Sequence, residues 1–319
     1  MSGTNLSRPG WASDRRWFAI VGAQRSRSTY VHQAISRHPD VFTPPREIPY
    51  FEDPNYARGD AEQFLDHFAR AGPGDAVGFK RPELLGRPEA PSRLAAAMPD
   101  ARLVVVLREP ISRTISAYFH YMRSTYLPLR PLNEGLGALL SDGSTARYPH
   151  AHEVLDFSHY AEGLARLNDR FDPGQVLALL DGDLEGDLDP VMRRIHVHLG
   201  VDPEVATQHD RRAANEGVYE IGARMRMLRL ASRLVYRPEP ESGMMWYRDS
   251  KARRIAHRMI YEASRPLAPR STGPATELDA GLRRALVERF DPDVRRLEDL
   301  IGRSLPTWPA REAHGSTSS

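Results

Sequence analysis

The feature that most constrains the fold is a strand, a short loop and a helix in direct succession near the start of the chain. Phe18–Val21 is a short apolar run, typical of a buried parallel strand. Gly22–Thr29 carries hydroxyl and arginine side chains, and Tyr30–Arg37 has apolar residues at helical spacing. Free N–H groups and the positive end of a helix that follows such a loop attract anions. The pattern predicts a phosphate or sulfate site.

The loop differs from the Walker A loop, which ends in Gly-Lys followed by Ser or Thr. Here Arg27 occupies the lysine position, before Ser28 and Thr29. Arg25 can add a full positive charge, and both hydroxyls can donate hydrogen bonds. On these residues alone, an ordinary strand-to-helix turn with an incidental arginine stays an open alternative.

A second strand-to-helix junction repeats the arrangement. Arg102–Leu107 is a continuous apolar run that predicts a central parallel strand, buried on both faces. Arg108 follows it, and a helix over Ile111–Tyr121 carries Ser116. This predicts a second anion site at the same sheet edge. A kinase would place a magnesium-binding acid after the strand, where Arg108 stands.

Two further residues are expected at that edge. Glu47 lies in Phe42–Phe51, whose three prolines predict an extended loop. Its apolar neighbours predict a raised pKa, suited to a general base, although pairing with a nearby arginine is the ordinary alternative. Lys80 ends a short strand, Ala76–Phe79, and is one of two lysines in the chain. It is expected to face the anion pocket, with a solvated strand end as the alternative.

Composition excludes several classes of protein. The chain has no cysteine, which rules out disulfides, a thiol nucleophile and a cysteine zinc site. A formal net charge of +2 disfavours extensive nucleic-acid binding. The sequence shows no apolar run of membrane-spanning length and no signal peptide. The protein is therefore expected to be cytoplasmic, without nucleic acid and without membrane association, and a homo-oligomer stays open.

The predicted organisation is one domain over residues 15–309, between a flexible N-terminus, 1–14, and a disordered tail, 310–319. Residues 217–275 form a variable helical region that covers the substrate. Within it, Val218–Tyr236 predicts a basic amphipathic helix. That helix could cover the cleft, touch a membrane surface or bind a partner, but a docked surface helix with a wet polar face is favoured.

With both loops considered, the chain resembles the sulfotransferases that use 3′-phosphoadenosine 5′-phosphosulfate (PAPS). Gln24–Thr29 is similar to the family's first loop, written Pro-Lys-Ser-Gly-Thr-Thr or Lys-Gly-Gly-Thr, with Arg25 for a lysine and Arg27 for a glycine. Arg108, and Ser116 about eight residues later, match the family's second motif. The resemblance implies an α/β fold: a P-loop-like three-layer sandwich with a central parallel sheet flanked by helices.

Two more segments resemble the carbohydrate and heparan-type branch of that family. Arg46–Phe51 is similar to its Lys-Glu-x-x-aromatic-Phe segment, whose glutamate is the base. Phe79-Lys80-Arg81-Pro82 is similar to its Lys-[Ser/Thr]-Pro step. The small-molecule branch has a histidine base where this chain has Pro82, so the resemblance favours Glu47. His150 and His152, in a Pro- and Gly-rich stretch, are rival bases.

The resemblance implies single in-line transfer of sulfuryl from PAPS to the hydroxyl of a small-molecule or glycan acceptor, leaving 3′-phosphoadenosine 5′-phosphate (PAP), without a metal. Glu47 would be the base, and Lys80 and Arg25 would neutralise the leaving group. The remaining nucleotide contacts implied are Ser26, Arg27, Ser28, Thr29, Tyr30, Arg108, Ser116, Arg211 and Arg212. The alternatives are a P-loop-type nucleotide kinase and a non-catalytic nucleotide- or anion-binding module.

Overall fold

The structure is a computed structural model that describes residues 15–59, 61–141, 148, 150–205, 219, 221–238, 245–248, 250–267, 276–306 and 308. Its elements in chain order are β1 Arg16–Gly22, α1 Ser28–Ile35, β2 Val41–Phe42, α2 Asn55–Arg58, α3 Ala61–Asp66, β3 Ala76–Lys80, α4 Ala90–Ala97, β4 Arg102–Leu107, α5 Pro110–Arg123, α6 Leu132–Leu140, α7 Glu153–Asp156, α8 Tyr160–Asn168, β5 Val176–Leu180, α9 Asp189–Leu199, α10 Ala223–Val235, β6 Tyr236–Pro238, β7 Met245–Tyr247, α11 Lys251–Ser264 and α12 Ala280–Ile301.

The chain groups into two compact units. The sheet unit takes the described residues of 1–108, 159–214 and 293–304, and the helical unit takes those of 109–158, 215–292 and 305–319. The single domain expected for 15–309 stays a prediction, and the expected flexible ends, 1–14 and 310–319, lie outside the described residues. Among the helices that are described, none is long and apolar enough to span a bilayer.

The sheet unit contains five parallel strands in the order β2-β3-β1-β4-β5. This confirms the predicted central parallel sheet with flanking helices. β4 is an interior strand: its apolar run is buried on both faces, and it pairs with β1 on one side and β5 on the other. Helices α1 and α9 cover one face through a shared core that includes Phe18, Ile20, Val31, Ile35, Val104, Val106, Val191 and Ile195.

The opposite face is covered in part by a close approach of α8. A Cβ added at Gly163 would collide with the main-chain oxygen of Leu85, in the turn Leu84–Gly86, so only glycine permits this contact. Trp17 packs beside Phe64 and Phe68 at the start of β1. Because helices pack on the faces of the sheet, the loops and polar side chains of this unit are found at the carboxyl edge of the strands.

The helical unit has a core of its own. Tyr118 and Met122 of α5 pack with Leu228 of α10 and with Leu286 and Phe290 of α12. α11 runs along α10, and the antiparallel pair β6–β7 links these two helices. The predicted basic helix over Val218–Tyr236 is observed as α10, and it buries Met225, Leu228 and Val235 as expected for an amphipathic helix.

Candidate functional site

The predicted site residues of the sheet unit gather at the carboxyl ends of its parallel strands. β1 ends in Gly22 and leads into the loop before α1; Lys80 is the last residue of β3. Arg108 directly follows β4, and Asp181 follows β5. Because parallel strands end at the same edge, this order brings a loop, two cations and a carboxylate to one side of the sheet.

The loop before α1 is fixed to β4. The N–H of Ala23 donates to the main-chain oxygen of Val106 at 2.7 Å, and Arg108 Nη1 donates to that of Arg25 at 3.4 Å. Arg25 and Arg27 have φ angles of 71° and 61°, in the left-handed region that favours glycine. Arg27, at a position where the motif has glycine, thus adopts a backbone conformation that favours glycine. Strained residues of this kind are concentrated at ligand-binding loops.

The start of α1 offers donors to an anion. Arg27 is the N-cap and makes no side-chain capping bond, so the N–H groups of Ser28 and Thr29 have no acceptor within the helix. Ser26 is fully buried, and its Oγ has no hydrogen-bond partner among the residues that the structure describes. A buried hydroxyl without a partner is costly. An oxyanion bound at the helix start would supply the missing acceptor, so these residues fit a phosphate.

Lys80 connects this loop to Glu47. Its side chain is almost fully buried, and Nζ lies 2.8 Å from Glu47 Oε1 and donates to Thr29 Oγ1, also at 2.8 Å. The ammonium therefore stands between a carboxylate and the first turn of α1. The prediction that Lys80 faces the anion loop is met by this contact, and the solvated strand end is excluded by its burial.

Glu47 and Lys80 belong to a larger group, named here the Glu47 cluster. Arg81 is its centre: it donates to Glu47 Oε2 at 3.1 Å, to Glu52, and lies 3.4 Å from Glu83 Oε2. Gln24 Nε2 donates to Glu83 Oε1 at 3.1 Å, which extends the cluster to the anion loop. Three carboxylates thus share two cations: the members are Glu47, Glu52, Lys80, Arg81 and Glu83.

The charges in this cluster shift the pKa values in opposite directions. Burial by itself raises the pKa of Glu47, but Lys80 and Arg81 outweigh it and hold that pKa below its ordinary value. The expected rise of the Glu47 pKa is therefore wrong, because the apolar neighbours in sequence are not its partners in space. Burial raises the pKa of Glu83, with Glu47 and Glu52 adding to it against Arg81.

His32 lies beside the cluster. Its Nε2 is 2.8 Å from Thr43 Oγ1. Burial and the positive charge of Lys80 together lower the pKa of His32 to about 4, although Glu47 opposes the shift. His32 is therefore neutral at physiological pH and leaves the positive charge at this edge to lysine and arginine.

Two arginines of the edge are paired with acids. Arg108 Nε lies 3.5 Å from Asp181 Oδ2, and burial raises the pKa of Asp181 although Arg108 lowers it. Arg27 Nη2 lies 2.7 Å from Glu185 Oε1, in an exposed pair. The guanidinium of Arg27 is thus paired with Glu185.

Other predicted site residues are placed as follows. Ser116 is buried on α5 in the helical unit, where Tyr219 Oη donates to its Oγ at 3.5 Å. Glu109 accepts hydrogen bonds from the N–H groups of Ile111 and Ser112, so a carboxylate already caps the helix predicted to bind the second anion. Tyr30 packs in the core of the sheet unit, and its N–H donates to Arg27. Arg211 and Arg212 lie outside the described residues.

The rival histidines are both in the helical unit. His150 Nδ1 lies 2.6 Å from Glu153 Oε1, and Tyr121 donates to the other oxygen of the same carboxylate. His150 thus has a structural partner, whereas His152 is exposed. Within the described part of the chain, no group of three potential metal ligands is found.

Sequence reasoning missed Arg81, Glu52, Glu83 and Asp181. Arg81 directly follows Lys80, and Glu83 follows two residues later, so both lie where a strand ends at the binding edge. That position was a usable signal for both residues. Glu52 had no such signal, because its contact with Arg81 joins loops that are distant in sequence.

Comparisons with known proteins identify sulfotransferases as similar to this chain. Residues 52–204 match the model of the sulfotransferase family. Heparan sulfate glucosamine 3-O-sulfotransferase 3B1 of Mus musculus is 27% identical over 190 residues, which are 60% of this chain and 47% of that protein. The chain therefore spans about half the length of this curated relative.

Two solved structures share the fold. The crystal structure of a sulfotransferase from Alicyclobacillus acidocaldarius has a TM-score of 0.64 at 22% identity, covering 92% of this chain and 98% of that one. Mouse sulfotransferase SULT7A1, complexed with PAP, has a TM-score of 0.50 at 13% identity, covering 89% and 85%. At these identities the likeness concerns the fold alone.

Proposed function

Because residues 52–204 match the model of the sulfotransferase family, we propose that this protein transfers a sulfuryl group from PAPS to an acceptor hydroxyl. The observation that carries the proposal is the position of Lys80, whose ammonium is 2.8 Å from both Glu47 and Thr29. One cation thereby serves a carboxylate and the start of an anion-binding helix. Such an arrangement suits a reaction in which a proton is removed close to an anionic leaving group.

The anion loop supplies the proposed donor site. Ser26 Oγ and the N–H groups of Arg27, Ser28 and Thr29 would hold the 5′-phosphosulfate, with Arg25 adding charge. Arg108 and Ser116 would hold the 3′-phosphate, as in the family motif they match. When bound, PAPS would supply an activated sulfuryl group. Arg211 and Arg212 stay predictions, and Tyr30 is left out because its N–H and ring are used within the fold.

Glu47 is the proposed general base. Lys80 and Arg81 keep its carboxylate ionised at neutral pH, which is the form that accepts a proton. Any contact that draws the Lys80 ammonium toward α1 takes positive charge from Glu47 and raises its pKa, so the base strengthens when the anion site fills. In the transfer, the acceptor oxygen forms a bond to sulfur, the bond from sulfur to the phosphate oxygen breaks, PAP leaves, and the acceptor proton passes to Glu47.

The acceptor class is proposed as a hydroxyl on a glycan or a small molecule. The curated relative is named for 3-O-sulfation of heparan sulfate glucosamine. Heparan sulfate oligosaccharides are therefore the first acceptors to test, followed by simple phenols and aliphatic alcohols. The cytoplasmic location and the homo-oligomer stay predictions.

Calorimetric titration with PAP tests the donor site. PAP should bind, Mg²⁺ should not be needed, and Arg108→Ala should weaken binding about tenfold to a hundredfold, the value of a hydrogen bond to a charged group. Arg102→Ala is the matched control: Arg102 starts the same strand that Arg108 follows, and it donates to the Gly174 oxygen at 2.7 Å. Its loss should leave PAP binding unchanged.

The same titration with ATP and Mg²⁺ separates the alternatives. Tight binding of Mg²⁺-ATP without binding of PAP would support a nucleotide kinase and overturn the proposal. Binding of PAP without release of PAP from PAPS, with any of the three acceptor classes, would support a non-catalytic binding module. Binding that Arg102→Ala and Arg108→Ala weaken equally would mean that the nucleotide does not use the predicted edge.

A further inference from the structure

The exposed hydrophobic side chains of this protein are concentrated in one segment of the helical unit. Six large hydrophobic residues are exposed within the described part of the chain, and five of them lie between Ile221 and Leu267. On α10, Leu230 is 56% exposed; on α11, Ile255 and Met259 are 52% and 67% exposed. Clustered exposed apolar side chains of this kind are typical of a surface that contacts a partner or a membrane.

The same segment is strongly basic. Residues 221–267 include eleven Lys and Arg and four Asp and Glu, a formal charge of +7, while the whole chain carries only +2. The rest of the protein is therefore net acidic. Positive charge and exposed apolar side chains coincide in one segment, and together they limit the kind of partner that fits.

Helical periodicity puts both features on the same side of α10. Met225, Leu228 and Val235 are buried, and the opposite side carries Leu230 between Met227 and Leu234, with Arg226 and Arg233 alongside. Two other arginines of this helix turn inward: Arg224 is buried, and Arg229 donates to the main-chain oxygens of Met122 and Leu127. The outward arginines are thus separate from those that hold the fold.

α11 repeats the pattern. His257, Ile260 and Tyr261 are half-buried and Ser264 is buried, which defines its packed side. The other side exposes Ile255 and Met259, one helical turn apart, with Lys251 and Arg258 next to them. We name the two outward sides the α10–α11 surface: Arg226, Met227, Leu230, Arg233 and Leu234 on α10, and Lys251, Ile255, Arg258 and Met259 on α11.

We propose that the α10–α11 surface rests on an anionic membrane, with Leu230, Ile255 and Met259 at the boundary of headgroups and acyl chains and the arginines on lipid phosphates. Helices with an apolar stripe flanked by arginine and lysine bind in this way, lying in the interface without spanning it. The proposal is independent of the sulfuryl-transfer function.

Two other occupants fit less well. A symmetric dimer would set this surface against its own copy, because a two-fold interface uses the same patch on both subunits, and the like charges would repel. A polyanion such as a sulfated glycan would satisfy the arginines but not the aliphatic side chains between them. The expectation of no membrane association rested on the lack of a spanning run, and a surface contact of this type requires only one apolar side of each helix.

Vesicle flotation tests the proposal with the full chain. The protein should float with vesicles of phosphatidylcholine mixed with phosphatidylglycerol, should not float with phosphatidylcholine alone, and should be released by salt. The variant Leu230→Ser, Ile255→Ser, Met259→Ser should lower the vesicle affinity at least about tenfold. The variant Arg226→Gln, Arg233→Gln, Arg258→Gln should lower it about fivefold for each charge removed.

Val197→Ser is the matched control. Val197, on α9 of the sheet unit, is the sixth exposed hydrophobic residue and is 63% exposed. Its replacement should leave vesicle binding unchanged.

Several results would overturn the proposal. One is equal flotation with neutral and anionic vesicles. Another is retention of binding by the serine variant with its circular dichroism unchanged. A third is heparin binding without vesicle binding, which would identify a polyanion site. A fourth is a dimer that light scattering detects in the parent protein and not in the serine variant, when neither the parent nor the variant binds vesicles. That result would identify self-association.

Discussion

The Glu47 cluster and the α10–α11 surface differ in how their positive charges are stabilised. In the cluster, Lys80 is buried, the Arg81 side chain is only 15% exposed, and both are paired with carboxylates. On the surface, Arg226 and Arg233 are exposed in a segment with few acids. A buried charge must be paired or it destabilises the fold, while an exposed charge remains hydrated. The first region should therefore control folding and chemistry, and the second should control association alone.

Glu47→Gln should have the largest effect. Removal of a general base lowers turnover about a hundredfold to ten-thousandfold, measured as release of PAP from PAPS with acceptor present. PAP affinity should not fall, because Glu47 is not a donor to the anion loop and its neutralisation leaves Lys80 free to face the anion. Glu62→Gln, on the exposed side of α3, is the control and should be as active as the parent. Unchanged turnover in Glu47→Gln would mean that another residue is the base, and His152 and His150 would be tested next.

Arg81→Met should have the next largest effect. It leaves Glu47, Glu52 and Glu83 with Lys80 as the cluster's one cation, and breaking a buried ion pair costs about 3–5 kcal/mol of unfolding free energy. Urea denaturation measures this loss. The control is Arg289→Met, because the pair of Arg289 with Asp156, at 3.0 Å, is exposed and should contribute at most about 1 kcal/mol.

A double variant distinguishes the charge from the packing around Arg81. Arg81→Met with Glu52→Leu removes both members of the most buried pair, and it should recover part of the stability that Arg81→Met loses. Equal losses in Arg81→Met and Arg289→Met would contradict the distinction drawn between buried and exposed cations. A double variant less stable than Arg81→Met would mean that side-chain volume dominates the effect.

The pH dependence of stability should come from the cluster's neighbour His32. Its pKa of about 4 in the folded state lies below the ordinary 6.5, so the unfolded chain binds a proton first as the pH falls. The contribution of His32 to stability is fully present above about pH 6.5 and is lost progressively as the pH falls to about 4. Between about pH 7 and about pH 5 the loss due to His32 is about 2 kcal/mol. Glu47, with its lowered pKa, adds a loss in the same direction only near and below its ordinary value of 4.5.

His32→Gln checks this assignment by urea denaturation at several pH values. Between about pH 7 and about pH 5, the variant should lose less unfolding free energy than the parent. A residual pH dependence should remain from His198, because burial also lowers its pKa to about 4. An identical slope in parent and variant would show that His32 is charged in the folded protein. Arg226→Gln, on the α10–α11 surface, should leave the slope as it is.

The sequence predicted the elements whose signals are local. β4 was predicted residue for residue, because Arg102–Leu107 is an unbroken apolar run, and the loop before α1 was predicted from its hydroxyl residues. Lys80 was placed correctly because strand ends in parallel sheets converge on one edge. The predicted rise of the Glu47 pKa was wrong because that pKa depends on Lys80 and Arg81, and Arg81 is 34 positions away in sequence. Pairing at such separations is determined by tertiary packing, which has no periodic signal in the chain.

The α10–α11 surface was only half predicted for a similar reason. The spacing of Met225, Leu228 and Val235 predicted a docked helix, and these residues are buried. The opposite side was expected to be polar, yet Leu230 is exposed there. Periodicity identifies the apolar positions of a helix, but it cannot assign two apolar stripes to different environments when both follow the same 3.6-residue repeat.

The smallest effect should come from changing that exposed stripe. Leu230→Ser, Ile255→Ser, Met259→Ser should alter the unfolding free energy by no more than about 0.5 kcal/mol per site, because these side chains are already hydrated in the folded protein. Leu228→Ala, on the packed side of the same helix, should cost about 2–5 kcal/mol. Urea denaturation measures both. A large loss in the serine variant would mean that these side chains pack within the fold. They could then reach a membrane only if the helices unfolded. A small loss, together with lost flotation, would show that the outward sides of α10 and α11 contribute to association and not to stability.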